Sequence, residues 1–509
     1  MNSEFYQNPI LCADYSDPDI VRVGNDFFMV SSSFNHMPGL PVLHSTDLVH
    51  WQIINHAIPA LNLPGYEYVQ PGKGVWAPSL RVHDDRFWIF FSTPDEGIFM
   101  CHTADPWGEW SEPHCVVEAK GWIDPCPLWD DDGRAWLVHA FAQSRSGIKH
   151  QLQLFEMTPD GRSLLGEGKI IYDGTCDLPT LEGPKLYKRQ GYYYIFAPAG
   201  GVESGWQSVL RARTMAGPWE VKNVLFQGQT AINGPHQGGW VELDNGECWF
   251  VHFQDAHLYG RVVHLQPMWW GDDGWPRIGE QRDDSGTGQP VLRWRRPAVG
   301  AEHYATCQPQ TSDEFASGKY GLQWQWQARP RADWLVESAS GLSLRCTPLP
   351  VRYGDGVLYG AAHLLLQKFP ALRFSAMTRL SLQAEQDGDA GGLIIYGERY
   401  AALTLEKRED ACWLVYLYGW MTDAGHVLQT RQPLEPLRAS TCALRVEVKE
   451  GGICHFAWRE NDEGEWRTVN RPFAAGKGKW VGAKVGLFAA APGVNAGGVC
   501  RFSHFNVAD

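Results

Sequence analysis

Asp17-Pro-Asp-Ile-Val-Arg-Val-Gly-Asn-Asp-Phe-Phe-Met-Val30 reads as a short apolar strand, a tight Gly24-Asn25 turn and a second strand of aromatic and β-branched residues. That is the pattern of a β-hairpin. Four later stretches repeat it: Trp76-Ala-Pro-Ser-Leu-Arg-Val-His-Asp-Asp-Arg-Phe-Trp-Ile-Phe90, Asp124-Pro-Cys-Pro-Leu-Trp-Asp-Asp-Asp-Gly-Arg-Ala-Trp-Leu-Val138, Glu182-Gly-Pro-Lys-Leu-Tyr-Lys-Arg-Gln-Gly-Tyr-Tyr-Tyr-Ile-Phe196 and His236-Gln-Gly-Gly-Trp-Val-Glu-Leu-Asp-Asn-Gly-Glu-Cys-Trp-Phe-Val251. The lead residues at 17, 76, 124, 182 and 236 are 59, 48, 58 and 54 positions apart. A strand-built repeat of roughly 40–50 residues is the signature of propeller blades. If each copy opens the innermost strand of a blade, the five lead side chains share one axial cavity. Asp17, Asp124 and Glu182 are carboxylates, so function is sought there.

The chain has 509 residues, enough for two domains. Its 44% hydrophobic and 13% aromatic content, with 24 Trp and 22 Phe, supports packed β cores. The 44 basic residues against 58 acidic ones leave a net charge of -14. A phosphate backbone would be repelled by such a surface, and no basic stripe offsets it, so nucleic-acid binding is not expected. Apolar runs such as 87–91 have strand length and are far short of a membrane span. The start has neither a basic n-region nor an apolar h-region. Its 12 Cys lie outside CxxC or zinc spacing and read as free thiols. A cytoplasmic location is expected, with the periplasm or secretion left open.

The blade pattern ends near Asp272-Asp273-Gly274-Trp275-Pro276, and a polar, Gly-rich stretch follows at 279–290. From Asp313-Glu314-Phe315 the texture changes. Leu322, Trp324 and Trp326 alternate with Gln323, Gln325 and Gln327, which predicts a half-buried strand. Similar alternation recurs at 342–346, 374–382, 401–407, 442–448 and 502–507. The expected architecture is all-β: a five-bladed propeller over 1–300, then an antiparallel β-sandwich over 311–509. Asp130-Asp131-Asp132-Gly133 reads as a hairpin turn rather than a calcium loop, because the rest of that motif is missing. His252 and His257 lack metal-ligand spacing and are read as structural.

Two carboxylates facing a sugar across a pocket are the minimum equipment for hydrolysing a glycosidic bond. One is ionised to activate water or attack, and the other is protonated to release the leaving oxygen. A third acid nearby can hold the proton donor's affinity up by repulsion. Asp before Pro is also an ordinary turn residue. The functional signal is that all three acids occupy the same register of one repeat.

Ser16-Asp17-Pro18-Asp19-Ile20, Gly74-Val75-Trp76-Ala77-Pro78, Ile123-Asp124-Pro125 and Leu181-Glu182-Gly183-Pro184 together resemble the motif set of glycoside hydrolase family 43. The likeness is to its two-domain β-xylosidase and α-L-arabinofuranosidase branch. Asn8-Pro9-Ile10, Ser33-Phe34-Asn35-His36-Met37-Pro38-Gly39 and His44-Ser45-Thr46-Asp47-Leu48-Val49-His50-Trp51 resemble that branch too. The resemblance implies that Asp17 is the general base, Glu182 the general acid, and Asp124 the acid that orients Glu182 and raises its pKa. It also implies inversion of the anomeric centre, with base and acid about 6.5–9.5 Å apart to admit a water. Trp76 and Phe34 match aromatics that stack on a sugar ring. The loop around Phe34 departs from the family's aromatic-rich one by carrying Asn35-His36-Met37, which bears on substrate preference. Arg261 matches an arginine reaching sugar hydroxyls and the catalytic carboxylates, and His236 a histidine that contacts substrate or the shell of an axial calcium.

In the resembling enzymes a sandwich loop closes the propeller's mouth. Gly476-Lys477-Gly478-Lys479-Trp480-Val481-Gly482 is its counterpart, with Trp480 expected to wall the pocket opposite Trp76. The implied function is an exo-acting hydrolase releasing terminal β-D-xylosyl or α-L-arabinofuranosyl residues from xylo- or arabino-oligosaccharides. No cofactor is required, and a structural calcium and a homo-oligomer are both compatible with the resemblance. An endo-arabinanase would need an open groove, and a non-catalytic carbohydrate-binding propeller has no use for a protonated Glu facing an ionised Asp.

Overall fold

The computed structural model describes residues 4–304, 306–461 and 463–508. Five sheets, antiparallel but for the pairing of Gly288–Gln289 with Glu220–Leu225, are arranged as blades, and each repeat supplies the innermost pair of strands. Blade I runs Asp19–Val23, Asp26–Val30, Gly39–Ser45, Gln52–Ile58, and blade II Trp76–His83, Arg86–Thr93, Gly97–Thr103, His114–Glu118. Blade III is Trp122–Trp129, Ala135–Phe141, Gln151–Met157, Leu164–Asp173. Blade IV is Lys185–Arg189, Tyr192–Ala199, Trp206–Ala212, Glu220–Leu225, extended by Gly288–Gln289 and Glu280–Gln281 from the polar stretch. Blade V is His236–Glu242, Cys248–Asp255, Arg261–Trp270, Pro276–Ile278. The predicted turns fall between the first two strands of every blade, Asp130-Asp131-Asp132-Gly133 included.

The N-terminal segment holds the ring together. Leu11 bridges Val263 of blade V, and Phe5–Gln7 pairs with Arg293–Arg295. The buried Asn8 amide donates to the Leu265 and Val291 carbonyls and accepts from the Leu265 N–H. Between blades I and V lies an apolar cluster with Ile20, Met29, Trp51, Val251 and Leu265.

The second half forms two stacked antiparallel sheets. One orders its strands as Gln325–Trp326, Leu365–Lys368, Lys484–Ala491, Ala390–Tyr396, Arg399–Arg408, Ala411–Met421, Val427–Leu437. The other places Val499–Ala508 and Thr441–Lys449 on either side of Phe374–Gln383. Their shared core includes Trp324 at 0% exposure and Trp326 at 1%. An indole removing about 150–250 Å² from water contributes roughly 4–6 kcal/mol before entropy is charged against it.

The alternation at 322–327 is the place where the pattern misleads. Gln323, Gln325 and Gln327 are 7%, 4% and 2% exposed, so the polar face is buried as well. It faces the propeller. The backbones of Met37 and Trp326 exchange two hydrogen bonds. Gln325 Nε2 donates to the Pro38 carbonyl, and Asn35 Nδ2 donates to the Gln327 carbonyl. Gln325 satisfies a backbone group across the domain seam, while the Gln323 and Gln327 amides are spent within the sandwich, on Ser312 and Asp313 and on the Tyr359 and Ala361 carbonyls, roles that period-two polarity cannot distinguish from solvation.

Candidate active site

Each innermost strand enters its blade through a residue with left-handed backbone: Asp17 (φ 54°), Ala77 (29°), Asp124 (57°), Gly183 (57°) and Gln237 (43°). In blades II, III and V the register slips at this point, between Trp76 and Ser79, Ile123 and Cys126, and His236 and Gly238. Such a bulge turns one side chain out of the pleat and re-aims it. For the four non-glycine residues the conformation costs on the order of 1–3 kcal/mol each, and it persists only where the surroundings impose it.

Asp17 is 6% exposed and accepts three side-chain hydrogen bonds. Ser16 Oγ at 2.8 Å and Ser32 Oγ at 2.5 Å donate to Oδ2, and Arg261 Nη1 at 3.3 Å donates to Oδ1. Ser32 Oγ in turn accepts from the Ala77 N–H, which ties blade I to blade II at the site. Arg261 also donates to Ser16 Oγ at 2.7 Å, and its guanidinium lies over the Phe253 ring at 4.9 Å. Charge-assisted donors of this kind favour an ionised carboxylate.

Glu182 is held differently. Its side chain is 23% exposed, and Oε1 lies 2.9 Å from Nε2 of the fully buried His236. Asp124 is 4% exposed, and its Oδ2 accepts the Gly183 N–H at 2.8 Å, next to Glu182 in sequence. Burial pushes the Asp124 carboxyl well above the usual carboxylate range, and the charges of Glu182 and Asp17 push it further. Three acids therefore share one desolvated cavity, and at least one holds a proton more tightly than a free carboxyl does.

Trp76 donates from Nε1 to the Gly72 carbonyl. Phe34, 3% exposed, meets it edge-on with centroids 6.2 Å apart and so backs Trp76 from within the protein. Trp480 reaches the site from the sandwich, 41% exposed, with the Arg261 guanidinium 5.8 Å from its ring. It does not stand opposite Trp76 across a gap. The two rings touch edge-on at 6.3 Å and 73°, and form one corner of the mouth.

Several contributors carry no signal in the repeat. Asp14 accepts the Arg261 N–H at 2.8 Å and the Gly482 N–H at 2.9 Å, so one carboxylate fixes both the arginine and the sandwich loop. The Ala483 N–H bonds the Leu258 carbonyl beside it. Lys185, wholly buried, donates to Pro78 O and Ser79 Oγ, and its charge partly offsets the repulsion at Asp124. Ser16 and Ser32 were visible only as polar residues at strand ends. Asp14 had no pattern around it.

Carboxylates on three blades of an all-β propeller, one bonded by an arginine and two hydroxyls and two crowded beside each other, form a glycosidase-type site. The family comparisons agree. Residues 6–276 match the model for glycosyl hydrolases family 43, and residues 312–508 match that for the beta xylosidase C-terminal concanavalin A-like domain. A protein of Xylanibacter ruminicola assigned as a beta-xylosidase is 40% identical over 408 residues, covering 79% of this chain and 73% of that one. The non-reducing end alpha-L-arabinofuranosidase BoGH43B of Bacteroides ovatus is 28% identical, over 77% of this chain and 73% of its own. Among solved structures, the xylan beta-1,4-xylosidase of Bacillus halodurans superposes with a TM-score of 0.85 at 25% identity, covering 99% and 100% of the two chains. The chain belongs to glycosyl hydrolase family 43, and it is a glycoside hydrolase.

Proposed function

We propose that this enzyme removes terminal β-D-xylosyl or α-L-arabinofuranosyl residues from hemicellulose-derived oligosaccharides by a single displacement with inversion. The observation that carries the reading is the unequal treatment of Asp17 and Glu182. Asp17 accepts from two hydroxyls and the Arg261 guanidinium, while Glu182 sits partly open beside a second acid that repels its charge.

In this reading Asp17 takes a proton from a water as the water's oxygen bonds to the anomeric carbon. The bond to the leaving oxygen breaks on the opposite face, its electrons going to that oxygen, and Glu182 supplies the proton. Asp124 stands beside Glu182, its carboxyl pushed up by burial and then by the charges of Glu182 and Asp17. His236, on Glu182 Oε1, fixes the direction of the donor. Trp76, backed by Phe34, offers an apolar face to the sugar ring, and Arg261 reaches its hydroxyls.

The contact of Trp480 with Trp76 at the mouth, with the loop bolted through Asp14, supports exo action. The names of the Xylanibacter and Bacteroides relatives support the two sugars. Among the described residues no group of three His, Cys, Asp or Glu side chains could hold a metal ion. His236 Nδ1, buried without a partner, is the protein donor the axis would offer a calcium, so water would hold most of such an ion. No step is routed through it. The twelve unpaired cysteines support a reducing, cytoplasmic setting. Homo-oligomerisation is compatible with the reading and not required by it. Assaying 4-nitrophenyl β-xyloside and α-arabinofuranoside side by side tests the reading: turnover of one or both is expected, and inertness toward both overturns it.

A further inference from the structure

Lys368 and Lys484 stand directly opposite each other on the paired antiparallel strands Leu365–Lys368 and Lys484–Ala491. Residues so paired project from the same face of a sheet, and like charges there are destabilising. The face is the one turned away from the sandwich core, since Val485, Leu487 and Ala489 point into that core. At this end of the sheet the propeller covers it. Lys484 is 3% exposed and lies beside Asn35 and His36, and Lys368 Nζ is 5.2 Å from the centre of the Tyr15 ring.

Among the described residues neither ammonium group has an ion-pair or hydrogen-bond partner. Asp14 is the carboxylate whose charge reaches both, and its two oxygens already accept the Arg261 and Gly482 N–H groups. Around the lysines are further unspent donors. His36 has both ring nitrogens buried without a partner, and His56 has Nδ1 in the same condition. Burial holds both imidazoles neutral, His56 down to about 3, so each carries one N–H. Burial and Lys368 also bring Lys484 down to about 7.

A cavity of about 300 Å³ opens at Lys368, lined also by Tyr15, His56, Gln325 and Gln367. The two glutamines spend one N–H each on the Pro38 and Thr311 carbonyls and keep a second. Lys368, His56 and the glutamine amides line this cavity, while Lys484, paired with Lys368 across the strands, and His36 line a separate one of about 20 Å³; with one preoccupied carboxylate, these donors match an acceptor with several oxygens and a negative charge.

We propose that this seam binds a small oxyanion, of carboxylate or phosphate type, in the cavity at Lys368 and His56, with Lys484 directly opposite Lys368 across the strand pair. The anion neutralises the lysine pair and fastens the sandwich to the propeller beside the Asp14 anchor of the 476–482 loop. The site is separate from the sugar pocket, and its occupancy is read without any assay of hydrolysis.

The test is thermal unfolding and isothermal titration of the full chain with phosphate, acetate or glucuronate, against sodium chloride at matched ionic strength. The expected result is a saturable rise in Tm and a one-site heat with at least one oxyanion and not with chloride. A response to phosphate alone assigns a phosphate ligand, and a response to acetate and glucuronate assigns a carboxylate. Lys368→Met should abolish the response, and without added oxyanion its Tm should equal or exceed that of the parent because a half-buried unpaired charge is gone. A parent protein whose Tm follows ionic strength alone, with no heat from any of the three, overturns the proposal. So does a Lys368→Met protein that binds with unchanged affinity. The titration of the parent decides the matter even if the variant does not fold.

Discussion

The propeller axis and the domain seam both bury polar groups, and they resolve the cost in opposite ways. At the axis the acids are crowded on purpose. Asp17 is compensated by Arg261 and two hydroxyls, while Asp124 and Glu182 are left to repel each other. At the seam Gln325 and Asn35 are spent on backbone carbonyls of the facing domain. The axis thus stores electrostatic strain that a reaction can use, and the seam uses polarity to join two bodies. Changes at the axis should therefore cost rate without costing structure. Changes on the sandwich side should alter the pocket's shape and leave the chemistry intact.

Asp17→Asn challenges the axis most severely. It keeps the shape and removes the base, so every substrate should lose rate at or beyond the upper end of the roughly 10²–10⁴-fold typical of an acid–base group. A glycosyl-enzyme trapped on Asp17 in the parent protein would show a nucleophile there instead. Glu182→Gln should cost roughly 10²–10⁴-fold on natural oligosaccharides. The loss should shrink on aryl glycosides whose leaving group needs little protonation. Equal losses on both would remove Glu182 from the donor role.

Asp124→Asn separates strain from structure. Without its negative neighbour Glu182 meets less repulsion, so the donor loses its proton sooner and the basic limb of the pH–rate profile should move to lower pH. The stability effect has the opposite flavour. A carboxyl whose native pKa is raised binds its proton more tightly folded than unfolded, so its contribution is full below the unfolded value of about 3.9. That contribution is lost as pH rises through the raised native value. Asparagine carries no such loss, and the variant should melt above the parent at pH 7 and show no such gain at pH 3. A basic limb that stays in place with no gain in Tm would make Asp124 a purely structural residue.

Trp480→Ala has the smallest expected effect and tests the sandwich side. An edge-on aromatic contact is worth about 0.5–1.5 kcal/mol, so KM for small exo-substrates should rise roughly two- to tenfold. The rate at saturation should hold, and longer or branched substrates should gain relative to short ones. Unchanged KM and chain-length preference would reduce the loop to a fastening of the domains.

Much of the axis was legible because the propeller writes its inner strands five times, so the odd residue at each entrance stands out against its copies. Asp17, Trp76, Asp124, Glu182 and His236 are found by register alone. Arg261, Phe34 and Trp480 came only through family likeness, since each lies outside the repeated register. Asp14 was not legible at all, and Ser32 only as a polar residue at a strand end: each acts through a contact between blades or domains. The same holds for the Gln face at 322–327. Its alternation reports that two faces differ in polarity, but not that the polar face meets backbone groups of another domain. The edge-on contact of Trp480 with Trp76 likewise depends on how the loop is anchored.

The central claim is that the Asp17 side of the cavity activates water for direct attack while the Glu182 side releases the leaving group. Proton NMR of the first sugar formed from 4-nitrophenyl β-xyloside tests it most directly. The account predicts that α-xylose appears first and the β anomer grows in only by mutarotation; β-xylose as the first product would contradict it.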